Sequence, residues 1–337
     1  MPEHESRQKR CLLQVYNSEL AKGKENGGYH LALRRSAPWT HSVENCRWAF
    51  AGIDPDHGRV HVGSFSASDG ADVPYRLWLA KQPRALVLLL HGCCDYSGAF
   101  DDIAPKLAAR GHCCMAYDQR GFGATASRGN WTSQARLVAD VRDAIIFFRR
   151  RTNCELPLFI VGESMGGSVA VHTAALSSDL KIRGLVLIAP GALGSVFRNT
   201  LYGWLMRLLT LFAGRSEIVV ERNNAEELST SAAIRLLGDP MVMQSIRAEL
   251  LAGVIAMGYA AVSAATQVKI QTLTIVAGKD DLVRSACVRQ LHENLAGPKI
   301  WAAVKNAPHL LLHWRRGELA LRYLRRWIEH QLHDNAA

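Results

Sequence analysis

The stretch Leu158-Phe159-Ile160-Val161-Gly162-Glu163-Ser164-Met165-Gly166-Gly167, continuing through Val169, Ala170 and Val171 to Leu176, decides how the rest of the chain is read. Leu158–Val161 is a short apolar run of the kind that forms a buried strand, and Gly167–Leu176 reads as a helix. Between them Gly162-Glu163-Ser164-Met165-Gly166 matches G-x-S-x-G in the strand–turn–helix setting that gives the motif meaning. The glycines permit a sharp turn that exposes the serine hydroxyl. The first N–H groups of the new helix have no intrahelical acceptor and face the same place. A serine hydroxyl is a weak nucleophile, so the rest of the sequence must supply an imidazole base and a carboxylate that orients it.

Outward from this turn the pattern repeats. Apolar runs at Ala85–Leu90, Cys113–Tyr117, Leu185–Ile188, Leu273–Val276 and Ile300–Val304 read as buried strands, and alternation at Arg59–Phe65 and Val73–Ala80 about Ser68-Asp69-Gly70 reads as a β-hairpin. Helical patterns at Phe100–Arg110 and Ser133–Arg151 lie between them, so a parallel sheet covered on both faces is expected. Residues 1–57 show no sustained periodicity and form an extension of unreadable role. The strand–helix alternation runs through 58–190, breaks over 191–267, where helical patterns follow one another without a clear strand, and resumes over 268–337.

Beyond the break, the strand Leu273–Val276 leads into Ala277-Gly278-Lys279-Asp280-Asp281-Leu282-Val283, which places two carboxylates in a loop at a strand's C-terminal end. The last strand is followed by Asn306-Ala307-Pro308-His309. Asp280 and Asp281 are both candidates for the acid, and both could instead cap the next helix. His309 directly follows the strand, whereas His313 is expected to begin the last helix. A third element, His91-Gly92-Cys93-Cys94-Asp95-Tyr96-Ser97-Gly98, follows the strand Ala85–Leu90. Acyl transfer builds charge on a carbonyl oxygen and needs two N–H donors; Met165 supplies one and this loop would supply the other.

Composition narrows the classes further. Hydrophobic residues at 48% and charged residues at 21% are ordinary globular values. The net charge of +10 is spread out, and the basic tail interleaves Arg315, Arg316, Arg322, Arg325 and Arg326 with Leu319, Leu324, Trp327 and Ile328 at helical spacing. That reads as a docked helix with a solvated basic face, not a nucleic-acid patch. Met1–Arg10 is charged, with no apolar region after it, so no secretory leader is expected and a cytoplasmic location fits the scattered cysteines. Neighbouring Cys93-Cys94 and Cys113-Cys114 lack the reach of zinc-ligand spacing, and no metal is expected. Leu250–Val268 carries no charge but is rich in Ala and Gly; a buried or cap helix is expected rather than a membrane span.

Taken in order, His91-Gly-x-x-x-x-Ser97-Gly98, Asp118-Gln-Arg120-Gly-Phe-Gly123, Gly162-Glu-Ser164-Met-Gly-Gly167, Gly278-x-x-Asp281-x-Val283 and His309 resemble the α/β-hydrolase superfamily, specifically its monoacylglycerol lipase and lysophospholipase branch, over residues 60–330. The resemblance implies an α/β-hydrolase fold with a mostly parallel central sheet, helices on both faces and a helical cap at 191–267, Asp239-Pro240 opening one cap helix. It implies Ser164 as nucleophile, His309 as base, and the N–H groups of Cys93 and Met165 as oxyanion donors. Asp281 is implied as the acid because it falls three residues after the glycine. The activity implied is hydrolysis of a carboxylic ester of lipid type, a monoacylglycerol or lysophospholipid, through an acyl-enzyme and without a cofactor. A thioesterase or aminopeptidase within the fold and a catalytically idle binding protein or receptor are the alternatives. The family's acidic residue and histidine in the first loop are Asp95-Tyr96 here. In the cap, Leu201, Trp204, Leu205 and Leu208 lie on a helix apolar nearly all round and are expected to line an acyl site; the cap and the basic surface leave room for peripheral membrane contact.

Overall fold

The computed structural model describes residues 60–152, 156–193, 216–220 and 227–333. In chain order the elements are β1 (His61–Ser66), β2 (Asp72–Trp78), β3 (Ala85–Leu90), α1 (Ala104–Ala108), β4 (His112–Tyr117), α2 (Gln134–Thr152), β5 (Leu158–Glu163), α3 (Met165–Leu176), β6 (Ile182–Ile188), β7 (Glu217–Val219), α4 (Thr230–Gly238), β8 (Ser245–Arg247), α5 (Ala248–Ala264), β9 (Gln271–Ala277), α6 (Ser285–Asn294), β10 (Lys299–Val304) and α7 (Glu318–His333). An eight-stranded sheet has the order β1-β2-β4-β3-β5-β6-β9-β10. β1 and β2 form the expected antiparallel hairpin and β2 runs antiparallel to β4; every other pairing within this sheet is parallel.

The buried strands alternate their side chains between two cores. Leu86, Leu88, Leu90, Leu158, Ile160, Leu185 and Leu187 face one side, where α2 and α3 pack through Leu137, Val141, Phe148 and Val169. Val87, Leu89, Phe159, Val161, Val186 and Ile188 face the other, where α1 and α7 contribute Leu107, Leu321, Leu324 and Trp327. Both faces being covered explains why these strands read as continuous apolar runs. The basic tail is the docked helix α7, with Leu324 and Ile328 inward and Arg322 and Arg326 exposed.

Three local expectations are corrected. Phe100–Arg110 is not one helix: a 3₁₀ turn at Ser97–Phe100 precedes α1, and Pro105, which lacks an N–H, sits in the first turn of the new helix. The inserted region contains strands, since β7 and β8 pair antiparallel. Asp239-Pro240 ends α4 instead of opening a helix: the residue before a proline is pushed out of the helical region, and Asp239 has φ −80° and ψ 121°. Ala248–Gln267 is, among the described residues, long and apolar enough to cross a membrane by length and composition. It packs on α3 and α6, and Met257, Ala261 and Val262 join the first core.

Candidate active site

Ser164 lies between β5 and α3 with φ 51° and ψ −118°, a backbone conformation that L-residues rarely adopt. Close packing enforces the turn. A Cβ on Gly162 would lie 2.3 Å from the Gly166 carbonyl oxygen, and one on Gly166 would lie 2.2 Å from that of Leu90. The turn is anchored by Ser164 N–H donating to Ile188 O at 3.0 Å and Gly191 N–H donating to Ser164 O at 2.8 Å. Met165 opens α3, where its N–H has no intrahelical acceptor.

His309 Nε2 is 2.8 Å from Ser164 Oγ, and His309 Nδ1 is 2.8 Å from Asp280 Oδ2. The imidazole and the carboxylate are almost fully buried, with side-chain exposures of 6% and 4%. Asp280 therefore replaces Asp281 as the carboxylate that reaches the imidazole. Gly278 N–H and Lys279 N–H are bonded to the carbonyls of Val304 and Ala307, which holds the loop against the segment carrying His309. Asp280 Oδ1 accepts from the N–H groups of Leu282 and Val283 at 3.0 and 2.8 Å, leaving Oδ2 for His309, whereas Asp281 is exposed. β9 runs to Ala277, one residue past the apolar run Leu273–Val276, and Asp280 is the third residue beyond its end.

His313 is corrected as well. It sits in a turn before α7, which begins at Glu318, and its Nε2 lies 3.0 Å from Glu163 Oε2 with both side chains buried. The sequence reading attached no role to Glu163. Burial pushes its carboxyl up, but the neighbouring His313 and His309 imidazoles and the Arg235 guanidinium outweigh burial and hold it below its ordinary value.

The first loop is braced from beneath. His91 Nε2 accepts from Gln119 N–H at 2.9 Å, which fixes the proton on Nδ1, where it donates to Gly92 O at 2.8 Å. Asp118 accepts from the N–H groups of Ser97 and Ala124 at 2.9 and 2.8 Å. Gly123, at φ 56°, leaves the space that Asp118 Oδ2 fills. The Asp118–Gly123 motif thus supports the loop that carries Cys93; the loop also approaches the serine, since a Cβ on Gly92 would stand 3.4 Å from Ser164 Cβ.

Asp95 and Tyr96 point into α4. Asp95 forms an ion pair with Arg235, and Tyr96 Oη donates to Asp239 Oδ2 at 2.6 Å. Residues before α4 also join the segment after His309. Leu228 bridges to Trp314, Ser229 N–H donates to His313 O at 2.8 Å, and Arg315 N–H donates to Glu227 O at 3.0 Å. Leu201, Trp204, Leu205 and Leu208 lie outside the described residues. Among the described residues no cluster of His, Cys, Asp and Glu could hold a metal ion.

The family model for serine aminopeptidase, S33, matches residues 81–313. A monoacylglycerol lipase of Mycolicibacterium smegmatis is 24% identical over 242 residues, 70% of this chain and 85% of that protein. Human monoglyceride lipase is 31% identical over 126 residues, 36% of this chain and 41% of that protein. The chain spans less than half the length of the first curated relatives it matches. The crystal structure of a Paleococcus ferrophilus monoacylglycerol lipase superimposes with a TM-score of 0.64 at 21% identity, covering 81% of this chain and 99% of that one, and supports the fold.

Proposed function

The chain belongs to the serine aminopeptidase S33 family of α/β-hydrolases, and from that membership we propose that it is a serine hydrolase of carboxylic esters of lipid type, such as monoacylglycerols or lysophospholipids. The observation that carries the proposal is the continuous hydrogen-bond chain from Ser164 Oγ through the imidazole of His309 to Asp280 Oδ2, with both links at 2.8 Å. In this reading His309 takes the Ser164 proton as the oxygen attacks the ester carbonyl. Asp280 holds the proton on Nδ1 so that Nε2 is the base, and stabilises the imidazolium that forms. The N–H groups of Met165 and Cys93 receive the carbonyl oxygen as it becomes an oxyanion. Collapse expels the alcohol, protonated by His309, and leaves Ser164 acylated; water activated by the same imidazole then releases the acid.

The lipid nature of the substrate is supported by the names of the relatives, which include monoacylglycerol and monoglyceride lipases and a phospholipase of Bacillus subtilis. The apolar stretch around Leu201–Leu208 is the proposed acyl site. The test is a panel at equal acyl length: a monoacylglycerol, a lysophospholipid, a fatty acyl thioester and an aminoacyl arylamide, with wild type and Ser164→Ala. The expected result is hydrolysis of the oxygen esters above the other two, abolished by Ser164→Ala together with labelling by a fluorophosphonate. A wild-type protein that neither hydrolyses an ester nor takes the label is a binding protein on this scaffold, and the proposal is then wrong.

A further inference from the structure

The residue immediately before the nucleophile is a fully buried carboxylate that the proposed chemistry does not use. Burying an ionised carboxylate and an imidazole is costly, and apolar residues of similar volume are often at least as stable. Glu163 Oε1, moreover, has no hydrogen-bond partner among the described residues, so the pairing with His313 does not satisfy the group fully there. Such a group is poorly explained by stability alone.

Its placement offers another explanation. Two adjacent residues of the nucleophile turn, Glu163 and Ser164, bond two imidazoles of one short loop, at 3.0 Å to His313 and 2.8 Å to His309. The loop between those imidazoles is tightly wound, with Leu311 N–H donating to His309 O at 2.8 Å and His313 N–H donating to Leu310 O at 3.1 Å. A shift of His313 is therefore passed to His309, where misplacement by about 1 Å can cost on the order of 10²-fold in rate. Among the described residues, the titratable and charged groups facing His309 and its neighbour Glu163 are Asp280 from the loop after β9, Glu163 itself at the end of β5, His313 from the same loop as His309, and Arg235 of α4, which acts on Glu163 and is paired with Asp95.

We propose that Glu163 and His313 are positioning residues for the base: the pair holds the His309 loop against the nucleophile turn, and the Glu163 carboxylate supplies a second negative charge, beside that of Asp280, that favours the imidazolium formed when Ser164 gives up its proton. This rests on the serine-hydrolase reading above, and the experiment keeps the two apart. Rates on a water-soluble ester are measured from acid to neutral pH for wild type, Glu163→Gln, His313→Gln and Ser164→Ala, with the melting temperature of each.

Glu163→Gln keeps the shape of the side chain and removes the charge. It should lower kcat by about tenfold or more with KM within about twofold, and move the acid limb of the pH–rate profile to lower pH, because the protonated base loses a favourable neighbour. His313→Gln keeps a donor for Glu163 and leaves the carboxylate's charge in place; it should lower kcat less than Glu163→Gln does and displace the acid limb less. An acid limb that follows the charge on Glu163 and not the melting temperature is a signature that a purely structural pair does not produce. If the limb in Glu163→Gln stays in place and kcat follows only the melting temperature, the pair is structural and the proposal fails; if Glu163→Gln does not fold, kcat of His313→Gln at an unchanged melting temperature decides alone, a loss supporting the proposal and wild-type turnover overturning it. Loss of wild-type activity, or its persistence in Ser164→Ala, refutes the underlying reading instead.

Discussion

Replacing Asp280 by asparagine tests the assignment that geometry changed. Asp280 Oδ1 is occupied by the N–H groups of Leu282 and Val283, and Oδ2 by His309 Nδ1. An amide in that place keeps its oxygen for the two backbone donors and turns its NH₂ toward Nδ1. The imidazole then carries its proton on Nε2, facing Ser164, where a lone pair is required. The loss expected for this tautomer error is about 10⁴ in kcat, or roughly 5.5 kcal/mol of barrier at about 1.36 kcal/mol per tenfold. Because shape and backbone bonds are retained, the melting temperature should move by only a few degrees. Asp281→Asn alters an exposed residue and should change kcat by less than about threefold. The assay is initial-rate hydrolysis of a p-nitrophenyl ester by the purified variants, with thermal melts as the control for folding. Asp281→Asn being the more damaging of the two, or Asp280→Asn remaining within tenfold of wild type, refutes the reasoning.

Gly166→Ala places a Cβ 2.2 Å from the Leu90 carbonyl oxygen and 2.8 Å from that of His91, neither of which can yield without moving β3; a destabilisation of about 2–4 kcal/mol in denaturant unfolding is expected, with loss of activity. Tyr96→Phe removes the hydrogen bond to Asp239 and leaves a half-buried carboxylate short of a donor, which should cost about 1 kcal/mol in the same measurement. Burial holds the His91 imidazole below its ordinary 6.5, against the pull of the Gly92 carbonyl and of Asp118 and Asp95. Its neutral form thus stabilises the fold above about pH 6.5, and that contribution is lost as pH falls through the depressed folded value. Unfolding followed against pH should show His91→Asn less stable than wild type near neutrality, with the difference narrowing in acid; a constant difference would count against the burial argument.

How much of this was legible in sequence depends on whether the signal was local. β3 was read to the residue because both its faces are buried, so that every position from Ala85 to Leu90 had to be apolar. The G-x-S-x-G turn was legible because the close approach of backbones at Gly162 and Gly166 allows nothing larger. Asp281 was preferred because Gly278 served as the landmark, whereas the end of β9 sets the geometry and a one-residue offset exchanges a buried side chain for an exposed one. The Glu163–His313 contact spans 150 residues of sequence and obeys no periodicity, so no pattern within either segment announces it. The strands β7 and β8 have three residues each, too short for alternation to stand out from chance.

The stitching of residues 227–229 to 313–315 bears on how such a fold can diversify. An insertion between two parts of a core is commonly pictured as a cassette, exchangeable for another to change what is bound. Here the chain leading into α4 shares backbone hydrogen bonds with the turn that directly follows His309. A graft across the whole of 191–267 would sever those bonds and disturb the imidazole along with whatever the insertion binds. Chimeras with their second junction before Glu227 leave the seam whole, so recombination that alters selectivity without altering turnover should accumulate on that side of it.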